Sequence, residues 1–372
     1  MRRKILLSVV ALAVLAYLSF GIMGAARINE GTYYPWVEPY TVYSPMAVAH
    51  AIFERIYNAF GLFSHTYNAH NQSYIVENVP GYYGVSERLG VVGITLVCAV
   101  LLSISGMLYQ NVFKNPIAGP GMLGVSSGVS LGMMLMVAVY GAQAPAMLKE
   151  RYLLCYGFGA AILVFVILVG KKLSGRGKPF DIVTMLLIGS ILSQLIGFVV
   201  SYETLFVMDP DVYEIYVTLS QMLIVDTSWV SWLVLGIAGL ASFIPVWLLR
   251  FRMNALAFDA AEVKLFGINY TGLRAIALIC GAIMILAAQV HVGMVGMVSL
   301  IVPFMSRSWF GCEFSKQFTG NICISTIFLL ACRDIADLIP FVGSGIAIGS
   351  SVSVAALPLF MVIMAKQMRG WG

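Results

Sequence analysis

Long apolar runs separated by short polar stretches dominate the chain. A helix needs about 20 apolar residues to cross a bilayer. Windows of that kind fall at 5–23, 90–110, 123–140, 152–170, 182–201, 229–249, 272–290, 292–310, 319–340 and 345–365, ten in all. The pattern predicts an all-α polytopic membrane protein. The window 292–310 is broken by glycines and Pro303, which predicts a partly interfacial segment. The windows divide the chain into a first membrane helix over 1–23, an extracytoplasmic loop over 24–88 and a membrane core of about nine helices over 89–368.

One break differs from the others. Gly106-Met107-Leu108-Tyr109-Gln110 is followed by a Gly/Pro-punctuated run from Asn115 to Gly128. In a membrane protein, non-helical backbone is tolerated only where protein buries it or a wet cavity meets it. The run predicts a pathway through the bundle; a tight inter-helix turn is the alternative. Asn115-Pro116 should stop the preceding helix, because proline disfavours helix at the residue before it and lacks a donor. Gly121, Gly124 and Gly128 would let the next span approach its neighbours closely, along the pathway or as packing alone.

Composition agrees with the hydropathy. The 372 residues are 60% hydrophobic and 10% charged, against about 25% charged in soluble domains. The net charge of +5 is spread over short loops and marks no nucleic-acid surface. With the N-terminus inside, Arg2, Arg3, Lys4, Lys114, Lys171, Lys172, Arg250, Arg252, Lys264, Arg307, Lys316, Lys366 and Arg369 all fall on the cytoplasmic side, as the positive-inside rule asks. Lys149, Glu150 and Arg151 form a mild exception, and 201–228 is acidic with no Lys or Arg. Both termini are therefore predicted to be cytoplasmic. The basic start and the apolar run to Met23 read as an uncleaved helix, a cleaved signal peptide being the alternative.

Chemistry is sparse. The six cysteines are scattered without a CxxC pair and read as small buried residues. His50, His65 and His70 lie in the 24–88 loop and read as polar loop residues; no metal site and no cofactor are expected. In that loop, Ser44 to Phe63 has an N-cap, Pro45 at the first helical position and an apolar stripe of Val48, Ile52, Ile56 and Phe60, the pattern of an interfacial amphipathic helix. The sequence holds no Walker A pattern, nucleophile elbow or HExxH. Energy from ATP would have to come through a separate chain.

The run Gln110 to Gly128 resembles the stretch Q-x-x-x-x-N-P-L-A-[DE]-P-x-x-L-G-x-x-x-G of the FecCD-type permeases. Gly293 to Arg307 is similar to that family's G-x-I-x-F-V-G-L-x-x-P-H-x-x-R. Gly349, Ala356, Pro358 and Phe360 resemble its last-helix motif, and Ala260 to Gly267 its A-x-x-L-G segment. Gly119 departs from the usual acidic residue, Ser299 from Gly and Phe304 from His. Leu338 stands where an Arg follows Asp334 in the family, and Arg88 sits about three residues from the family's outer Arg.

The resemblance implies a ten-span permease subunit of a binding-protein-dependent ABC importer, itself no enzyme, in the bacterial cytoplasmic membrane. Its substrate would be a ferric siderophore, with haem or cobalamin as the alternative; a secondary transporter is the alternative of another class. Implied partners are two copies of an ABC ATPase, an extracytoplasmic substrate-binding lipoprotein, a second permease copy and membrane lipid. The implied gate and translocation path comprise Gln110, Asn115, Pro116, Ile117, Gly121, Gly124 and Gly128, with Ile182 and Val183 as an apolar constriction. The implied ATPase coupling loop runs from Pro303 to Lys316, with Phe304, Arg307, Phe310 and Glu313. Arg88, Arg333 and Asp334 would meet the binding protein.

Overall fold

The computed structural model describes residues 4–5, 7–12, 14, 85–116, 118–173, 182–220, 226–258, 260–293 and 295–338. The 345–365 window, the 44–63 stretch, Ile117 and the family-like residues from Gly349 to Phe360 lie outside them, as does most of 5–23. Among the described residues the secondary structure is helical throughout.

Ten helices are labelled here in chain order: α1 Val85–Phe113, α2 Val125–Tyr140, α3 Leu148–Leu173, α4 Ile182–Tyr202, α5 Pro210–Ser220, α6 Trp229–Leu249, α7 Ala260–Leu265, α8 Tyr270–Val292, α9 Gly296–Phe310 and α10 Phe314–Leu338. Among the described residues, six stretches are long and apolar enough to cross a membrane: Gly90–Phe113, Val125–Ala146, Leu148–Leu173, Thr184–Val207, Trp229–Leu249 and Tyr270–Val292. Each matches an expected window; the count of ten spans is not established. α9 has 15 residues, roughly 22 Å at 1.5 Å per residue and short of the ~30 Å hydrocarbon core. The break expected in the 292–310 window falls at Gly293, whose φ is 76°, while Pro303 stays inside α9. α10 is long enough at 25 residues, but Gln317, Asn321, Ser325 and Arg333 are buried along it.

α1 and α8 form the centre of the bundle. Each buries 78% of its most apolar stretch, against 22% for α4 and for α6. The outer helices expose apolar ridges such as Leu187, Ile191, Leu195 and Phe198 on α4, as a lipid-facing surface does. The Ser105 hydroxyl donates to the Gly281 carbonyl at 2.6 Å, and the Tyr109 hydroxyl to the Leu278 carbonyl at 3.1 Å, joining α1 to α8.

Glycine sets the closest contacts, since lipid tails give helices no hydrophobic reason to associate and packing must do so. On α2, a Cβ at Gly128 would lie 2.8 Å from the Gly159 Cα, and one at Gly132 would lie 2.6 Å from the Leu154 carbonyl oxygen, both on α3. On α1, a Cβ at Gly106 would run into the Ser299 carbonyl of α9. Proline lacks an N–H, so Pro303 leaves that same Ser299 carbonyl without its usual donor four residues on.

Gly132→Ala should destabilise the protein by about 1–3 kcal/mol, the range for overpacking against backbone that cannot yield. Gly236→Ala, with nothing within 4 Å of the new Cβ, should leave stability near wild type. Unfolding in detergent micelles, followed by circular dichroism, checks the pair.

Candidate functional site

Basic residues collect at one end of the bundle: Lys4, Lys114, Arg250, Arg252, Lys264, Arg307 and Lys316 lie on the helix ends and turns that meet there. α1 stops there as its sequence dictates. Lys114 takes a positive φ of 49°, and the Asn115 N–H donates back to the Gln110 carbonyl at 3.2 Å. Ala118 N–H then donates to the Asn115 carbonyl at 3.1 Å. Pro120 opens a short 3-10 turn, Pro120–Leu123, and Gly124 closes it at φ 80°. This turn rests on α4 so closely that a Cβ at Gly189 would collide with the Met122 carbonyl.

The candidate gate residues do not share one environment. Asn115 and Gly121 are exposed, as are their neighbours Lys114 and Met122, which are not gate candidates, and Pro116 is partly exposed. Gly124 and Gly128 are buried in helix contacts with α3 and α4. Ile182 and Val183 open α4, with side chains outside the described set. Gln110 is 1% exposed. Its Nε2 donates to the Leu300 carbonyl at 2.9 Å, and its Oε1 accepts from the Arg307 guanidinium at 3.3 Å. One gate candidate and one coupling-loop candidate are thus bonded to each other.

The expected coupling loop from Pro303 to Lys316 is mostly helix. Pro303 and Phe304 are buried in the second half of α9, because that half packs against α1 and α10. Only 311–313 separates α9 from α10. Glu313 and Lys316 pair at 2.6 Å with both side chains about half exposed. The Lys4 ammonium donates to the Trp309 carbonyl at 2.5 Å and lies 6.0 Å from the centre of the Phe310 ring.

A neighbouring surface includes the family-like segment Ala260 to Gly267, but the sequence alone did not show it as an exposed apolar patch. Between α6 and α8, the short helix Arg252–Ala257 and α7, with the residues flanking them, expose Phe251, Phe258, Leu265 and Phe266. Leu265 is 87% exposed. Asn254 ties this segment to the α9–α10 turn by accepting the Phe314 N–H at 2.8 Å. The signal was available: large apolar residues interspersed with Arg250, Arg252 and Lys264 in too short a segment to cross a bilayer.

The opposite end holds a buried polar knot, also missed. Asp226 accepts from the Tyr152 hydroxyl at 2.7 Å, the Ser228 N–H at 2.9 Å, the Ser228 hydroxyl at 3.1 Å and Arg151 at 3.4 Å. Tyr152 stacks on His291 with ring centroids 5.2 Å apart. The His291 ring nitrogens lie 2.8 Å from the Ala287 carbonyl and 3.2 Å from the Ser231 carbonyl. The first turn of α3, the start of α6 and the end of α8 are therefore joined. Arg151 looked like an exception to the charge rule, yet it balances Asp226.

Of the expected docking residues, Arg333 is buried, with its guanidinium 3.4 Å from the Thr95 hydroxyl of α1. It sits inside the bundle rather than on an open face. Arg88 and Asp334 are helical, with side chains outside the described set. Among the described residues, no three His, Cys, Asp or Glu side chains gather as a metal site.

The model of the FecCD transport family matches residues 66–366. An iron chelatin transport system permease protein of Helicobacter pylori is 28% identical over 280 residues, covering 75% of this chain and 81% of its own. The molybdate import system permease MolB of Haemophilus influenzae is 27% identical, covering 72% and 77%. The hemin transport system permease HmuU of Yersinia pestis is 24% identical, covering 75% and 82%. A solved structure described as an inward-facing conformation of a metal-chelate type ABC transporter superposes with a TM-score of 0.71 at 20% identity, covering 98% of this chain and 100% of its own. At that identity it speaks for the fold alone.

Asp226→Ala should cost about 3–5 kcal/mol, the range for stranding one member of a buried ion pair. Arg151→Met combined with Asp226→Ala should recover part of that loss, since residues of one network are not additive. Detergent unfolding of the single and double variants measures both.

Proposed function

The chain belongs to the FecCD transport family, and from that premise we propose that it carries an iron chelate, a ferric siderophore, across the bacterial cytoplasmic membrane. As an ABC importer permease it is a multi-pass membrane transport subunit, and family membership removes the secondary-transporter alternative. The observation that favours iron is the naming of its relatives: an iron chelatin permease and a hemin permease stand among them, with an iron-uptake permease of Bacillus subtilis at 25% identity. The molybdate relative makes the oxyanion the competing cargo to test.

Two ATPase copies would seat at the basic end, with two permease copies around a central path and a substrate-binding lipoprotein at the acidic end. Both termini would then be cytoplasmic. The seat would combine the α9–α10 turn, with Arg307, Phe310, Glu313 and Lys316, and the exposed Phe258, Leu265 and Phe266. Two observations support this reading: the Asn254–Phe314 hydrogen bond makes the two segments one surface, and exposed aromatic anchors suit a protein partner. ATP binding would move the seat and rock the bundles between outward and inward access. Ile182 and Val183 would close the path by excluding water.

Purified with its operon partners and placed in liposomes, the complex should take up radioiron-loaded siderophore only with ATP inside and the binding lipoprotein outside. Uptake of molybdate or haem in preference to the siderophore would reassign the cargo. Leu265→Asp with Phe266→Asp should reduce recovery of the ATPase on the tagged permease at least tenfold, a loss of about 1.4 kcal/mol; unchanged recovery would remove this segment from the seat. Ile182→Ser with Val183→Ser should raise passive leak of the chelate, and an unchanged leak would exclude them as the constriction.

A further inference from the structure

We propose that Gln110 is a positioning residue that transmits movement of the basic-end surface to the turn that follows α1. The proposal rests on the reading of the chain as an ATPase-driven permease.

Gln110 stands one turn before the end of α1 and uses both its side-chain amide and its backbone. The side-chain NH2 donates to the Leu300 carbonyl, the side-chain oxygen accepts from Arg307, and the backbone carbonyl accepts from Asn115. A buried amide with donor and acceptor both engaged tolerates little displacement, because each broken bond strands a polar group away from water. Gln110 therefore holds the Asn115–Gly124 turn in register with α9.

α9 is held in turn by α10 and by the surface. The Ser306 hydroxyl donates to the Gln317 carbonyl at 2.8 Å, and the Gln317 side-chain amide donates to the Pro303 carbonyl at 3.2 Å. The Phe314 N–H donates to Asn254. A contiguous set of bonded and packed residues thus runs from Asn254, through the start of α10 and the second half of α9, to Gln110 and the Asn115 turn. Coupling between distant sites is carried by such networks where an element has two arrangements. The turn after α1 is suited to be that element: it leaves the helix at a positive-φ Lys114 and re-enters one at a positive-φ Gly124, and its tip is exposed. One turn back from Gln110, Gly106 presses on the Ser299 carbonyl, so α1 and α9 touch at two levels and move together.

The proposal separates Gln110 from a residue that merely packs. Gln110→Leu removes both side-chain bonds. Gln110→Glu keeps an acceptor for Arg307, now as an ion pair, and loses the donor to Leu300. In liposomes holding the assembled complex, the quantity to read is ATP hydrolysed per chelate carried. Gln110→Leu should raise that ratio on the order of tenfold, within the usual range of coupling between sites. Gln110→Glu should raise it less. Arg307→Met should raise it, and combining it with Gln110→Leu should add little, as expected of one shared interaction. A wild-type ratio in Gln110→Leu overturns the proposal. So does a parallel fall of uptake and hydrolysis, or loss of the ATPase on purification, in both Gln110 variants, because that is the mark of a packing role. The wild-type complex is assayed first: uptake independent of ATP would overturn the importer reading itself, a failure distinct from that of Gln110.

Discussion

The basic end depends on how closely α1 approaches α9, and two missing groups set that distance. Gly106 lacks a side chain, and Pro303 lacks an N–H. The first lets the α1 backbone reach the Ser299 carbonyl; the second leaves that carbonyl without its helical donor. Any side chain at 106 would push α9 outward by more than a hydrogen bond can stretch. Gln110 would then lose Leu300 and Arg307 together, and the turn at Asn115 would lose its register. Proline inside a helix ordinarily costs about 3 kcal/mol; here the freed carbonyl serves a helix–helix contact.

The same economy governs the buried polar groups. In hydrocarbon an unpaired ionisable group is expensive, so it faces the bundle and finds a partner. Arg151 finds Asp226 and Tyr152, and Arg333 lies against Thr95. Exposed positions on α6 carry apolar side chains, and those on α4 carry no charge, with Ser190, Gln194 and Ser201 among the apolar residues. The charged positions thus separate by what surrounds them: inward-facing and paired, or on turns at the two ends.

The spans were legible because hydropathy is a local property with a long window. The structure places α6 at Trp229–Leu249, the limits that the apolar run gives. The stop of α1 was legible because Asn115-Pro116 acts on its own backbone. The window 292–310 was readable as broken, though not as broken at Gly293, since either the glycines or Pro303 can interrupt a helix and only packing against α1 decides between them. The Asp226 knot was not legible, because its members come from residues 151, 226 and 291 and no local pattern links them. Gln110 and Arg307 were each singled out, but for different roles; their contact joins positions 197 apart in the chain. Within 251–266, Ala260 to Gly267 was singled out as a family-like segment, but the exposure of Phe258, Leu265 and Phe266 was not legible, because only the packing of the neighbouring helices decides which apolar side chains stay outside.

The two ends are closed by interactions that differ in what it takes to open them. Separating α3 from the start of α6 means pulling Arg151 away from Asp226 in a largely buried site, and leaving one charge of such a pair behind costs about 3–5 kcal/mol. The bonds of Gln110, by contrast, are made by an amide to a carbonyl and to a half-buried guanidinium. Such bonds are worth about 0.5–3 kcal/mol each, less than a buried ion pair left with one charge. α9 is also too short to be anchored by a full hydrocarbon thickness. Movement of a few ångströms is therefore cheaper at the basic end than at the acidic end. Under the proposed function, a permease driven from its basic face would need that asymmetry: the end receiving the push would have to yield before the opposite end.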